Sequence, residues 1–208
     1  LQVQRSLETA PGKLREIRTL IIGGASISDD LVELLQSHKI NAVATYGMTE
    51  TATHIAVKNL SPETDEDFKT LTDYQISQDD RGCLAVNAPH LSGVVQTNDV
   101  VTLLDDSFVL KGRIDHVINS GGIKVFPQEI ERILSKMIGN RAFYITSTKD
   151  KDLGEKVTLV IEGDGKGDEN LLEKCSILIE DYRRPRRLVH EELLSRTETG
   201  KIIRNRYA

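Results

Sequence analysis

The feature that most constrains this sequence is the stretch 112–131, which reads GRIDHVINSGGIKVFPQEIE. An apolar run ends at Gly112, paired glycines follow at Gly121 and Gly122, and Pro127 precedes a helix-forming run with acidic residues in its first turn. Paired glycines let a backbone take positive φ angles and approach a ligand closely, and proline suits the first position of a helix. Taken alone, the pattern fits either a ligand-binding segment or a surface hairpin that leads into a helix.

The composition limits the class of protein to which these 208 residues belong. The length suits one or two domains with a substantial core, and 38% hydrophobic with 28% charged residues is an ordinary globular composition. The net charge of −5 gives no basic footprint for nucleic acid, and no apolar run approaches the roughly 20 residues that span a bilayer. We therefore expect a cytoplasmic protein with no nucleic-acid partner and no membrane partner.

The cysteines are Cys83 and Cys175, which lie far apart in apolar contexts. This placement predicts two buried thiols rather than a disulfide. Cysteine and histidine residues lack the spacing that metal-ligand sets require, so we expect no zinc site.

The beginning of the chain predicts a β-α-β arrangement. Apolar runs at 17–22 and 40–46 are typical of buried strands, and the glycine-rich segment 23–25 gives the first strand a tight exit. Between them, Ser26 or Ser28 can cap a helix whose first turn is acidic. This order of elements indicates the end of a layered α/β unit with a parallel sheet.

The remainder of the chain divides into two kinds of structure. Short alternating runs fill 54–110 and predict a small antiparallel or barrel-like part, in which 100–104 and 108–111 have hairpin spacing. Further on, the pattern predicts a compact α+β unit with these elements: helices at 128–137 and 171–181, and strands at 142–146 and 156–162. The fold class expected is α/β plus α+β, with domains at 1–114 and 115–208.

Two further stretches accompany 112–131, namely TYGMTET at 45–51 and TGKI at 199–202. In this order, the three resemble the C-terminal half of an adenylate-forming enzyme, the superfamily of acyl-CoA synthetases, luciferases and peptide-synthetase adenylation domains. The similarity covers nearly the whole chain. It implies the last part of a large N-terminal domain, with layered α/β and small β-barrel parts, followed by a small mobile lid domain.

The resemblance assigns roles to the segment YGMTE. It implies that Tyr46 and Gly47 belong to the nucleotide site with the ring stacked on adenine, that the Thr49 hydroxyl meets the α-phosphate, and that Glu50 binds Mg²⁺. A tyrosine offers a flat apolar face, and a single carboxylate suits a cation that keeps most of its waters. The alternative is a strand-to-loop junction with a half-buried tyrosine and a solvated glutamate.

Three other positions resemble parts of the nucleotide site. The segment Gly23-Gly24-Ala25 is similar to the stretch that packs against adenine. Asp99 resembles the aspartate of a TGD motif that accepts both ribose hydroxyls, although Asn98 stands in place of the glycine. Arg113 matches an arginine that contacts the ribose, and its alternative is a surface ion pair.

The lid residues follow from the same resemblance. Asp115 matches the hinge residue about which the lid rotates between adenylation and thioester formation, and Gly121 and Gly122 match the segment that lines the pantetheine tunnel. Lys201 resembles the catalytic lysine that bridges the substrate carboxylate and the phosphate. Prolines that often occur in that loop are absent, and the alternative for Lys201 is a lysine in a frayed tail.

Within the superfamily, the segment 117–125 most resembles the o-succinylbenzoate-CoA ligases of menaquinone synthesis. This implies an ATP-dependent ligase that uses ATP/AMP, Mg²⁺ and coenzyme A to convert a small carboxylic acid into its thioester. The alternatives are another acyl- or aryl-CoA ligase, an amino-acid adenylation enzyme, and a non-catalytic nucleotide-binding or assembly module.

The resemblance also implies an incomplete enzyme. The loop that holds the β- and γ-phosphates has no counterpart, and the sequence opens within a helical pattern rather than with methionine. We therefore expect a fragment whose partner is the missing N-terminal part of the same enzyme, and a homo-oligomer is compatible with the sequence. The basic cluster 183–187 predicts a solvated turn or a contact with the 3′-phosphate of CoA.

Overall fold

The computed structural model describes residues 2–9, 11–24, 27–180, 182–198 and 200–207. The chain divides into two compact units, Leu1–Lys111 and Gly112–Ala208. The sequence placed a domain boundary a few residues further along, after residue 114.

The first unit begins with the predicted β-α-β arrangement. Strands β1 and β2 are parallel, with Leu20 opposite Ala42, and the Ser28 side chain caps the intervening helix by accepting a hydrogen bond from the Leu31 amide at 3.3 Å. Ser26, the other candidate cap, lies outside the described residues. The elements are α1 (Gln2–Thr9), α2 (Pro11–Arg15), β1 (Leu20–Ile22), α3 (Asp29–Ser37) and β2 (Ala42–Gly47).

Six further strands continue the same sheet, which has eight strands in the order β1-β2-β3-β4-β8-β7-β6-β5. The pairs β2–β3, β3–β4, β4–β8, β5–β6 and β6–β7 are antiparallel. The predicted hairpin at 100–111 is confirmed, because β7 and β8 are neighbours and the Leu104 amide donates to the Ser107 carbonyl at 2.9 Å. The strands are β3 (His54–Ser61), β4 (Phe68–Thr70), β5 (Gln75–Gln78), β6 (Cys83–Asn87), β7 (Val95–Leu103) and β8 (Ser107–Arg113).

The expected small β-barrel is the point at which the fold prediction is wrong. Among the described residues the eight strands form an open order, with β1 and β5 at its two ends. The physical reason is β3, which pairs with β2 on one side and β4 on the other. It therefore joins the short strands to the parallel pair, and these strands do not close on themselves. Ile55, Leu84 and Phe108 form part of the buried core beneath them.

The second unit is an α+β arrangement on a five-stranded sheet in the order β10-β9-β12-β11, with β13 parallel to β12. The predicted strands and helices are present. The β9–β10 hairpin is the surface hairpin that was one of the two interpretations of 112–131, and β13 is additional. Helix α5 is shorter than predicted because Ile179 takes an extended conformation. The elements are β9 (Ile118–Ser120), β10 (Ile123–Val125), α4 (Pro127–Ile138), β11 (Phe143–Asp150), β12 (Gly154–Glu162), α5 (Leu171–Leu178) and β13 (Arg187–Glu191).

Helix α4 positions the second unit's core. Pro127 stands at its first position, where a missing N–H costs nothing, and Ile130, Leu134 and Ile138 recur at helical spacing on the buried face. They pack into one cluster with Ile145 of β11 and several residues of β12 and α5. No helix within the described ranges is long and apolar enough to cross a membrane.

Candidate functional site

Tyr46 of β2 and Asp99 of β7 lie in direct contact. The Tyr46 hydroxyl donates a hydrogen bond to Asp99 Oδ2 at 2.5 Å. The tyrosine ring packs edge-on against Phe108, with centroids 5.2 Å apart, and at a tilt against Phe68 at 5.9 Å. Because both ends of the side chain are held, its orientation is fixed. Two residues that the sequence assigned to the nucleotide site from distant positions are thus brought together.

The glycines after β1 lie at the same edge of the sheet as the end of β2, because parallel strands end on the same side. A Cβ atom at Gly23 would lie 2.6 Å from Thr45 Oγ1, so any other residue here would force the Thr45 side chain or the backbone to shift. Gly24 has a φ of +87°, a region that other residues avoid. Ala25, the third predicted member of this segment, lies outside the described residues.

The turn after β2 is built on Gly47 and a buried threonine. A Cβ atom at Gly47 would lie 2.6 Å from the Thr53 carbonyl oxygen. Thr51 is fully buried, and its hydroxyl accepts a hydrogen bond from the Met48 amide at 3.2 Å and lies 2.9 Å from the Thr53 carbonyl. The sequence motifs assigned no role to Thr51. The signal was its position in a tight turn, where a threonine hydroxyl can replace backbone hydrogen bonds.

Thr49 and Glu50 lie on the exposed side of this turn, in a 3₁₀ segment at Thr49–Thr51. The described side chains include no group of three or more histidine, cysteine, aspartate or glutamate residues that could hold a metal ion. An exposed single carboxylate such as Glu50 still fits Mg²⁺, since this cation is commonly held by one or two carboxylates together with substrate phosphates and water.

In the second unit, Arg113 and Asp115 pair with each other. Arg113 Nη2 lies 2.7 Å from Asp115 Oδ2, and both side chains are nearly half exposed. Asp115 belongs to a 3₁₀ turn at Ile114–His116, which the Val117 amide closes by donating to the Ile114 carbonyl at 3.2 Å. The pair is of the surface kind that the alternative interpretation of Arg113 predicted, and such pairs contribute little to stability.

Gly121 and Gly122 form the two-residue turn between β9 and β10. Their φ angles are +60° and +82°, which a tight hairpin turn with positive φ at both positions requires. A Cβ atom at Gly121 would lie 3.3 Å from Leu153, whereas one at Gly122 would meet open space. The surface hairpin leading into a helix is therefore present, and both glycines are exposed on it.

Lys201 follows a tight turn rather than lying in a loose tail. The Thr197 amide donates to the Lys201 carbonyl at 2.8 Å, and the Lys201 amide donates to Thr197 Oγ1 at 3.1 Å. Gly200 has a φ of +83°, while Thr199 of the predicted motif lies outside the described residues. The Lys201 side chain is exposed, and in the described part of the chain its ammonium group has no hydrogen-bond or ion-pair partner.

The residues after Lys201 are held against the rest of the second unit by hydrogen bonds that the sequence did not reveal. Both guanidinium nitrogens of Arg204 bond to the Glu131 carboxylate of α4. The Tyr207 amide donates to the Ser147 carbonyl at 3.0 Å, and its hydroxyl donates to Glu191. Before Lys201, the Leu194 amide donates to Glu162 Oε2 at 3.0 Å, so the segment that carries Lys201 is anchored on both sides.

Burial is the main cause of the shifted pKa of His116, of Cys175 and of Tyr207. Burial, and then the charge of Arg204, lowers the pKa of His116, whose buried Nδ1 has no hydrogen-bond partner in the structure. Burial raises the pKa of the Cys175 thiol to about 11, so this cysteine is not a nucleophile at neutral pH. Both cysteines are buried and form no disulfide, as predicted. In the basic cluster, Arg183 pairs with Glu129 at 3.1 Å.

Comparison with solved structures defines the class of fold. O-succinylbenzoate coenzyme A synthetase from Bacillus subtilis, in complex with ATP and magnesium ion, matches with a TM-score of 0.83 at 20% identity, over 96% of this chain and 48% of that chain. An acyl-CoA synthetase (AMP-forming)/AMP-acid ligase II-like protein from Dyadobacter fermentans matches with a TM-score of 0.55 at 31% identity, over 97% and 60%. The fold is that of the C-terminal portion of an adenylate-forming enzyme, as the sequence motifs indicated.

Sequence relatives give a narrower resemblance. A 2-succinylbenzoate–CoA ligase from Listeria monocytogenes is 26% identical over 212 residues, which cover 91% of this chain and 45% of that protein. The chain spans about half the length of the curated relatives it matches. No family model matches it.

Proposed function

We propose that this chain is the C-terminal part of an ATP-dependent carboxylate–CoA ligase, which forms an acyl-adenylate and then a CoA thioester from o-succinylbenzoate. The observation that carries the proposal is the contact between Tyr46 and Asp99 at 2.5 Å, in a chain similar over 91% of its length to a 2-succinylbenzoate–CoA ligase. One contact thus joins a flat aromatic face for a base to a carboxylate for ribose hydroxyls.

The chemistry explains why these groups belong together. Adenylation brings a carboxylate against an anionic α-phosphate, and one like-charge contact at ~4 Å costs about 4 kcal/mol at an effective dielectric constant near 20. The Thr49 hydroxyl, on the exposed turn after β2, would donate to an α-phosphate oxygen. Glu50 on the same turn would hold Mg²⁺, which supplies positive charge to the phosphates when it is bound. Gly24, where a Cβ would meet open space, leaves room for the adenine ring, and Gly23 lets this segment pack closely against Thr45 of β2.

The second unit supplies the mobile part of the mechanism. Lys201 bridges the substrate carboxylate and the phosphate during adenylation, and its exposed ammonium group on an anchored turn suits that task. Arg113 contacts the ribose. Asp115 absorbs the rotation of a lid formed by residues 115–208, and a thin pantetheine arm then passes along Gly121 and Gly122, where no side chain blocks it.

The substrates are a small carboxylic acid, ATP and CoA, and we place the reaction in the cytoplasm. Support for that compartment comes from Cys83 and Cys175, since both are buried thiols that form no disulfide.

The test is carboxylate-dependent release of pyrophosphate by the full-length ligase that the proposal implies. We expect release with o-succinylbenzoate, followed by thioester formation on addition of CoA, and much slower release with benzoate, a fatty acid or an amino acid. A Lys201→Ala variant is the control for contaminating ligases and should release little pyrophosphate with any acid. Release by the parent that does not depend on the acid, or that favours another acid of the panel, would contradict the proposed substrate.

A further inference from the structure

Arg206 contacts the backbone that follows the proposed hinge. Its Nη2 donates to the carbonyl oxygens of Asp115 at 3.1 Å and Val117 at 3.3 Å. We infer that Arg206 is a positioning residue that confines the lid rotation to the two torsions of Asp115. This inference rests on the proposed function, because it concerns the hinge of that mechanism.

Covalent geometry decides which atoms move at such a hinge. The carbonyl oxygen of Asp115 belongs to the planar peptide unit that begins after both rotatable bonds of Asp115. It therefore travels with the residues that follow, not with those that precede. The two carbonyls that Arg206 holds lie on either side of His116 and Val117, whose backbone torsions connect them. A guanidinium group bonded to both carbonyls fixes those torsions, because its N–H groups have a rigid geometry.

A second set of bonds fixes Arg206 itself to the sheet. Its Nη1 donates to Glu155 Oε1 at 3.0 Å. Glu155 in turn accepts hydrogen bonds from the Ser147 hydroxyl of β11 and the Asn119 amide of β9, both at 2.7 Å. Arg206 is exposed, so its ion pair with Glu155 contributes little to global stability. Replacing Arg206 should therefore leave the second unit folded and remove the hydrogen bonds to the Asp115 and Val117 carbonyls.

Two contacts cross the hinge and behave differently from those of Arg206. The ion pair between Arg113 and Asp115 crosses the φ torsion of Asp115, and one backbone hydrogen bond crosses both of its torsions. The Val117 amide donates to the Ile114 carbonyl, which lies before the torsions of Asp115. Rotation at Asp115 breaks this bond, whereas the contacts of Arg206 move with the lid and persist. The backbone torsions of Asp115 can therefore change, whereas those of His116 and Val117 are restrained by Arg206.

The sharpest test is a double variant of the full-length ligase. Asp115→Pro fixes φ of the hinge near −65° and should block transfer to CoA. If Arg206 confines the hinge, then adding Arg206→Met frees His116 and Val117 to absorb the rotation. We expect thioester formation from supplied acyl-adenylate to recover on the order of tenfold over Asp115→Pro alone, the effect of about one charge-assisted hydrogen bond. A double variant no faster than Asp115→Pro would overturn the inference.

Arg204→Met is the matched control, because this arginine lies in the same tail but bonds to Glu131 and Ile145 rather than to the turn. In the Asp115→Pro background it should restore nothing. Recovery with Arg204→Met as large as with Arg206→Met would mean that general loosening of the tail is the cause, and it would overturn the inference.

A second readout needs no catalysis and uses the 208-residue chain. Arg206→Met should speed hydrogen exchange of the amides at 116–118 on the order of tenfold and leave those of β11 unchanged. Unchanged exchange at 116–118 would overturn the role of Arg206 whatever the enzyme does. Faster exchange in a protein that forms no acyl-adenylate would support the positioning role of Arg206 and contradict only the proposed function.

Discussion

At the scale of single residues, His116 is a half-buried histidine whose charged form the fold disfavours. Burial disfavours its charged form, and the nearby charges of Arg204 and Arg113 act in the same direction. Asp115 and Glu131 oppose the effect without reversing it. His116 is therefore neutral in the folded protein at neutral pH, directly beside the proposed hinge.

The lowered pKa of His116 predicts a pH dependence of stability. Below the usual histidine pKa of 6.5, the unfolded chain binds a proton that the folded chain resists, so the free energy of unfolding falls with pH until the lowered folded pKa is passed. Urea unfolding at pH 7, 6 and 5 should show a larger loss for the natural chain than for His116→Gln. Equal losses for the two proteins would mean that His116 titrates alike in both states.

At the scale of elements, β2 and the turn after it carry the candidate nucleotide site. The turn packs tightly at Gly47. A Cβ atom there would lie 2.6 Å from the Thr53 carbonyl oxygen and 2.9 Å from the His54 Cα. Both are backbone atoms, which cannot move aside as a flexible side chain can. Gly47 is thus a structural requirement of the turn that presents Thr49 and Glu50.

The crowding at Gly47 predicts the effect of one methyl group. Gly47→Ala should destabilise the first unit by roughly 1–3 kcal/mol, the usual cost of forcing extra atoms into a packed site. Gly93→Ala is the matched control, because a Cβ there meets nothing within 4 Å, and it should change stability little. Denaturant unfolding of both variants gives the comparison. A Gly47→Ala protein as stable as Gly93→Ala would show that the turn adjusts freely.

Elements that are determined by residues within one stretch were predictable from the sequence. Elements that depend on pairing with a distant part of the chain were not. Helix α4 has its proline start and its apolar spacing within one stretch, so it was predicted almost to its ends. Strand β13 pairs with β12 across the intervening helix α5, and no local pattern marks such a partner. The barrel was expected for the same reason, since short strands do not reveal that β3 will pair with β2.

In the candidate site, the residue types were likewise predictable from the sequence, but the contacts between them were not. The types of residue at Tyr46 and Asp99 were recognisable from motifs, but the hydrogen bond between them depends on the path of β2 and β7 through the sheet. Motifs also identified Lys201, whereas the bonds of Arg204 and Arg206 that anchor its tail join positions far apart in the chain. Long-range pairs of this kind depend on tertiary packing, which spacing alone does not encode.

At the scale of the whole molecule, the central claim is a division of labour between two states of one ligase. In the proposed mechanism, Lys201 is needed only while the carboxylate and the phosphate are brought together. Asp115 is needed, on the same proposal, when the lid rotates so that the thiol can enter along Gly121 and Gly122. If the lid did not rotate, replacing either residue would impair both acyl-adenylate formation and thioester formation. The two half-reactions, measured separately, distinguish these cases.

The most direct measurement is the pair of half-reaction rates for Lys201→Ala and Asp115→Pro in the full-length ligase. Lys201→Ala should slow acyl-adenylate formation by a factor on the order of 10² to 10³, typical of losing one key electrostatic group, with nearly normal thioester formation from supplied acyl-adenylate. Asp115→Pro should spare adenylation and block transfer to CoA, because proline fixes φ. Loss of the same half-reaction in both variants, or equal damage to both halves by Lys201→Ala, would contradict the two-state mechanism.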